Sequence, residues 1–211
     1  MLELKNIKYK NILQIDNLKI HEGKVTTIIG SSGSGKTTLL RLLNKMISPD
    51  NGEIFFKATS YINLDSTNLR RNVVMLSQNP VIFKGSIRDN LQIGLKFSEK
   101  PISNEEKLKS ILKMVELNKN LNDDAEKLSG GEKQRLALGR VILMNPEVFL
   151  LDEPSSALDE KTENIIIKKL AQYVKENDKT LIMVTHSKAI AKNFSDHIIE
   201  LSSGKIVKGV E

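Results

Sequence analysis

The residues best equipped for chemistry are Gly30, Ser31, Ser32, Gly33, Ser34, Gly35, Lys36 and Thr37, which read G-S-S-G-S-G-K-T. They follow a short apolar run, Val25–Ile29, and precede a helix-like pattern, the setting that a phosphate-binding loop requires. Glycines let the backbone wrap so that several N–H groups point at one phosphate, and the following helix adds favourable potential for an anion. Lys36 brings positive charge to β- and γ-phosphate oxygens, and the Thr37 hydroxyl is suited to ligating Mg²⁺. A second group lies downstream. Val148-Phe149-Leu150-Leu151 is an apolar strand ending in Asp152 and Glu153, and Pro154 stops it. Asp152 suits the Mg²⁺ shell through water, and Glu153 suits a general base that polarises an attacking water.

Two further polar residues sit at strand ends. Gln78 follows Val73–Leu76, and is placed to meet Mg²⁺ or the attacking water. His186 follows Leu181–Thr185, and is placed to donate to a γ-phosphate. In isolation each reads more readily as an ordinary loop residue. Ser129-Gly130-Gly131-Glu132 opens another helical pattern. Ser129 and Glu132 have the spacing of a capping box, which is a sufficient structural reason for them. Two successive glycines weaken a helix and no cap needs them, so the alternative is a second anion site that something approaches closely. On these residues alone the two readings stand level.

Strand and helix patterns alternate around these motifs. Leu2–Ile7, Gln14–Ile20, Glu53–Phe56, Val73–Leu76 and Val148–Asp152 read as strands, with helices over Thr37–Met46, Gly131–Leu143 and Asp159–Lys175. Leu181–Thr185 is a further strand, and Ile198–Leu201 with Ile206–Val207 reads as a closing hairpin. The alternation implies a parallel sheet with helices on its faces. Residues 85–135 differ, being charged and helical, and read as a lobe inserted into that core, with Ser103 and Glu106 boxing one helix through Val115. A single domain spans the 211 residues.

Composition narrows the classes. The chain has no cysteine, which excludes disulfides, thiolate zinc sites and cysteine nucleophiles. Its net charge is +6, but the lysines are scattered and aromatics are 4%, so no nucleic-acid partner is expected. No apolar run approaches the ~20 residues of a membrane helix, and the first residues lack an apolar signal stretch, so a cytoplasmic protein is expected.

The ordered set resembles the nucleotide-binding subunit of an ATP-binding cassette (ABC) transporter. It comprises Gly30–Thr38, Gln78, Leu128-Ser129-Gly130-Gly131-Glu132, Leu150-Leu151-Asp152-Glu153-Pro154, Ser156-Ala157-Leu158-Asp159 and His186. The resemblance covers nearly the whole chain, and its serine–glycine–glycine signature is absent from most other phosphate-loop ATPases. It implies an α/β fold: a phosphate-loop NTPase core with a mostly parallel sheet, an N-terminal antiparallel β subdomain and an inserted helical lobe. It implies ATP and Mg²⁺, with Lys36 on phosphate, Thr37 and Asp152 at Mg²⁺, Gln78 in the loop facing a membrane partner, and Glu153 as catalytic glutamate. Asp159 falls on the inter-subunit loop, His186 on the switch histidine and Tyr9 on the adenine-stacking aromatic.

The family pairs two cassettes head to tail, so Ser129 and the N–H groups around Gly131 close over the ATP held by the other copy. The partners implied are thus a second copy or a paralogue, and separate permease chains on the cytoplasmic face of the membrane. Ser31 replaces a frequent proline, Thr37 a frequent serine and Glu132 the usual glutamine. Asn79–Asn90 resembles exporter-type cassettes, and the small chain is similar to stand-alone cassettes that include a metal-efflux group. The competing expectations are an importer cassette, or a soluble one in iron–sulfur cluster assembly.

Overall fold

The computed structural model describes residues 1–210, with side chains through residue 207. The chain begins with strands β1 (Leu2–Tyr9), β2 (Leu13–Ile20) and β3 (Val25–Ile29). β1 and β2 pair antiparallel, and Leu2, Leu4 and Ile7 of one with Leu13, Ile15, Leu18 and Ile20 of the other are buried. Their intervening residues are mostly exposed, as one-sided burial of an antiparallel sheet demands. β4 (Asn51–Phe56) and the short β5 (Thr59–Ser60) complete a four-stranded sheet ordered β2-β1-β4-β5.

β3 belongs to the second sheet, with β6 (Val73–Leu76), β7 (Val148–Asp152), β8 (Thr180–Val184), β9 (His197–Ser202) and β10 (Lys205–Val210). Its six strands are ordered β10-β9-β3-β8-β7-β6, parallel except for the β9–β10 hairpin. Every residue of β7 and β8 is buried, because both faces of a parallel sheet are covered. Alternation along β7 divides the core in two. Phe149 and Leu151 join Leu181 and Met183 on the face covered by most of the helices. Val148 and Leu150 join Ile28, Ile182 and Val184 on the face covered by α1 (Lys36–Leu43) and the antiparallel sheet. Asp152 continues the second series, and so emerges against the first turn of α1.

The remaining helices are α2 (Ser66–Asn72), α3 (Ile87–Phe97), α4 (Glu105–Met114), α5 (Gly130–Met144), α6 (Glu160–Glu176) and α7 (Lys188–Phe194). α3 and α4 pack on α5, forming the helical region between β6 and β7. Asn90, with no exposed surface, is its polar pin. Its Nδ2 donates to the carbonyls of Phe83 (2.8 Å) and Ser86 (3.0 Å). Its Oδ1 accepts from the Phe83 amide at 2.9 Å and from the Arg140 guanidinium at 3.0 Å. Arg140, from α5, also donates to the carbonyls of Asn90 and Val81 and lies 5.0 Å from the Phe83 ring centre. Burial lowers its pKa to about 10.

The structure shifts several sequence-based boundaries. The helix expected over Thr37–Met46 ends at Leu43, because Lys45 takes a left-handed φ of 55° and bonds the Tyr61 and Leu64 carbonyls. Ser103 does not cap α4. Asn104 does, accepting from the Lys107 amide at 2.9 Å, and this sets Glu105 and Glu106 in the first turn, where the helix dipole favours them. α2 and α7 carry too few periodic positions to read in the sequence.

Asn90→Ala leaves the Phe83 amide and carbonyl without that partner, beside a side chain that is itself fully buried. It is expected to cost about 2–4 kcal/mol, read as a lower urea midpoint at unchanged m-value.

Candidate active site

The phosphate loop is shaped by neighbours far along the chain. Gly30 lies against β9, where an added Cβ would stand 2.1 Å from the Leu201 carbonyl oxygen. The Ser34 carbonyl accepts from the Gly204 amide at 3.1 Å, and Gly204 in turn accepts from the Gln14 amide at 2.8 Å. The β9–β10 turn thus ties the loop to β2. Lys36, 7% exposed, folds over the loop and donates to the carbonyls of Gly30 (2.9 Å) and Ser31 (2.8 Å).

Thr37 donates its hydroxyl to Asp152 Oδ2 at 2.7 Å. Asp152 is 4% exposed, and burial raises its pKa above the usual carboxylate value against the opposing hydrogen bond from Thr37. Such a carboxylate beside a hydroxyl is a hard-oxygen donor set that fits a divalent cation. Glu153 leaves the strand with a left-handed φ of 49°, a conformation costing about 1–3 kcal/mol in a residue with a side chain. Both oxygens of its carboxylate are engaged. His186 Nε2 lies 2.8 Å from Oε1, and Gln78 Nε2 donates to Oε2 at 3.2 Å. One cleft is lined by Ile12, Ser32, Gly33, Gly35, Lys36, Thr37, Thr38, Gln78, Glu153 and His186. The structure therefore brings together residues that the sequence separates by more than a hundred positions.

A family model described as "ABC transporter" matches residues 13–156, which include the loop, the serine–glycine–glycine motif and the β7 acids. The chain belongs to the ABC transporter family.

The cassette is similar to the spermidine/putrescine import ATP-binding protein PotA of Borreliella afzelii (strain PKo). They are 35% identical over 216 residues, 99% of this chain and 62% of that protein. The chain spans 58% to 62% of the length of the first curated relatives it matches. Its fold is similar to that of the ATP-binding cassette MJ0796, seen as a dimer in a post-hydrolysis state bound to ADP and Pi. The TM-score is 0.89 at 30% identity, covering 100% of this chain and 98% of that one. A bacterial Atm1-family ABC exporter with ATP bound gives the same TM-score of 0.89 at 26% identity, covering 99% of this chain and 38% of that one.

Ser129, Gly130, Gly131, Tyr9 and Asp159 do not line the phosphate cleft. The Ser129 capping box is formed: Ser129 Oγ accepts from the Glu132 amide, and the Glu132 carboxylate accepts from the Ser129 amide at 2.9 Å. That backbone hydrogen bond, with a bridge from Lys119 at 3.1 Å, holds the Glu132 carboxyl below the usual range. The two glycines have different reasons. A Cβ on Gly131 would come within 2.8 Å of the Ala157 carbonyl oxygen, so its bareness serves packing inside the chain. A Cβ on Gly130 would meet nothing within 4 Å, so Gly130 is open to an incoming group. Asp159 caps α6, accepting from the Thr162 amide at 3.0 Å, and hydrogen bonds from Thr162 lower its pKa.

Tyr9 closes β1 and packs on the core of the antiparallel sheet, three residues before Ile12, whose amide donates to the Tyr9 carbonyl at 3.1 Å. Nothing in the sequence pattern singles out Ile12; an apolar residue 41% exposed in the lining of a phosphate cleft is visible only in three dimensions. Gln134 is likewise silent in the sequence. It is 3% exposed on α5 and bonds the Glu153 carbonyl at 2.8 Å.

The Asp152 shift has a definite sign. A carboxyl whose folded pKa is raised binds protons more tightly when folded, so it costs stability as pH rises from its unfolded value through its folded one. Asp152→Asn keeps an acceptor for Thr37 and removes that cost. Without nucleotide it is expected to raise Tm at pH 7 by about 2–4 °C, the gain shrinking toward pH 4, as calorimetry across that range would read.

Proposed function

We propose that the chain is the ATP-driven subunit of a transporter whose membrane-spanning permease is carried on separate chains, and that it works at the cytoplasmic face of the cell membrane. Among the described residues no helix is long and apolar enough to cross a membrane, and relatives such as PotA are named as ATP-binding proteins of import systems, which supports the reading. The observation that carries the reading is the separation of the phosphate-loop cleft from the exposed start of the serine–glycine–glycine motif. The cleft holds the phosphate loop, Gln78, Glu153 and His186, whereas Ser129 and Gly130 are exposed and lie outside its lining. A helix N-terminus with an open glycine suits phosphate oxygens. One triphosphate per loop leaves that second site for the nucleotide of a second cassette, either a copy of this chain or a paralogue.

Each residue then has a role. Lys36 and the loop from Gly30 to Thr38 bind the phosphates, and Tyr9 with Ile12 borders the base. Thr37, Asp152 and Gln78 would hold Mg²⁺, which when bound neutralises charge on the phosphates. Glu153 takes a proton from the attacking water as its oxygen bonds the γ-phosphorus and the bond to the ADP oxygen breaks. Gln78 and His186, each bonded to one Glu153 oxygen, orient that carboxylate, and His186 gives up its Glu153 contact when it donates to the γ-phosphate. Asp159 lies on the loop between cassettes. Two basic protomers bridged by ATP separate when hydrolysis weakens the bridge, and that cycle drives the permease.

Export is the direction we favour, with metal ions among the cargo classes it admits. Residues 79–90 carry the exporter-like pattern and form an ordered segment held by Asn90 and Arg140. Val81, within that segment, and Phe97 are 66% and 68% exposed, and Phe97 meets Phe83 of the segment edge to face. An exposed apolar surface on the segment that follows Gln78 in the chain suits a permease helix.

Glu153→Gln protein is expected to shift from monomer to dimer on a light-scattering column when ATP and Mg²⁺ are added, and Ser129→Arg is expected to abolish the shift. ATP binding without any change in mass would remove the homodimer from this reading.

A further inference from the structure

α5 carries more than the serine–glycine–glycine motif. Five residues after Ser129, about one and a half helical turns, stands Gln134, and each end of its amide is engaged. Nε2 donates to the Glu153 carbonyl at 2.8 Å and to Ser156 Oγ at 3.3 Å, and Oε1 accepts from the Ala157 amide at 3.1 Å. Gly131 packs on the Ala157 carbonyl, the other side of the residue whose amide Gln134 accepts, and on Leu158. One helix face thus grips residues 153–158.

The residue it grips most directly is the strained one. The Glu153 amide donates to the Val184 carbonyl at 3.0 Å, which anchors it to β8. Its carbonyl accepts from Gln134 and, at 3.3 Å, from the Ser156 amide. At a φ of 49° few neighbours would by themselves hold that peptide, yet its orientation decides where the carboxylate meets His186 and Gln78.

We propose that Gln134 is a positioning residue for hydrolysis: its buried amide sets the Glu153 peptide and joins it to the helix that Ser129 caps. This rests on the reading of Glu153 as the general base. The consequence is a link inside one chain between two different nucleotides. A group bound at the Ser129 end shifts α5, and the shift reaches the base of the chain's own cleft through one amide.

The test is steady-state ATPase of the full chain together with ATP affinity. Gln134→Met keeps length and loses every hydrogen bond. It is expected to lower kcat by roughly ten- to a hundredfold, as small misplacements of a reacting group do, with Kd for ATP within about twofold of the parent. Gln134→Glu serves if the methionine variant does not fold. Its carboxylate cannot donate to the Glu153 carbonyl but its acid form can, so its kcat relative to the parent is expected to recover between pH 8 and pH 6. Wild-type kcat in Gln134→Met, or a Gln134→Glu ratio that does not change with pH, overturns the proposal. Glu153→Gln is measured alongside: full turnover there removes the general-base reading itself, whereas an inactive Glu153→Gln with an unaffected Gln134→Met removes only the positioning role. Combining the two substitutions is expected to lower turnover no further than Glu153→Gln alone.

Discussion

A buried carboxylate needs a partner, and the centre of this protein is built round one. Asp152 sits at 4% exposure with the Thr37 hydroxyl 2.7 Å away, at the point where the fully buried β7 meets the start of α1. Everything that packs the parallel sheet, from Phe149 and Leu151 on one face to Val148 and Leu150 on the other, fixes that meeting point. The carboxylate is costly to the fold because burial disfavours its charge. It is retained where a hydroxyl, an ammonium-bearing loop and a second acid converge, which is where a phosphate-bound cation would offset the cost.

Glu153 follows immediately but is held by different means. It leaves the regular strand in a left-handed conformation, and its backbone is anchored to β8 on one side and α5 on the other. The adjacent acids therefore have separate environments: one dry and turned to α1, the other partly exposed and bonded to His186 and Gln78. Two carboxylates with distinct surroundings are what a metal ligand and a base require of neighbouring positions.

α5 gathers the long-range connections. Its cap faces outward at Ser129, Gln134 reaches the residues after β7, and Arg140 holds the segment after Gln78 through Asn90 and the Val81 carbonyl. A helix bonded at two places to two separate segments moves as a unit or not at all, since packed interiors transmit displacement rather than absorb it.

The sequence by itself determined the chemistry of each motif. A glycine loop before Lys36 and Thr37, an apolar run closing on Asp152 and Glu153, and a serine with a glutamate three residues on are local patterns whose physics is complete within a few residues. It also determined the strands other than the two-residue β5, because alternation and β-branched runs are local. The tertiary structure decided which distant residues meet. Nothing in residues 201–204 announces that they brace the phosphate loop, and nothing in the pair Gly130-Gly131 separates the glycine that packs on Ala157 from the one open to solvent. Nor does Gln134, one polar residue in a helical pattern, declare that it is buried against Glu153. Those facts depend on the order of strands in the sheet, and that order follows from burying both of its faces at once, a requirement met only by the whole chain.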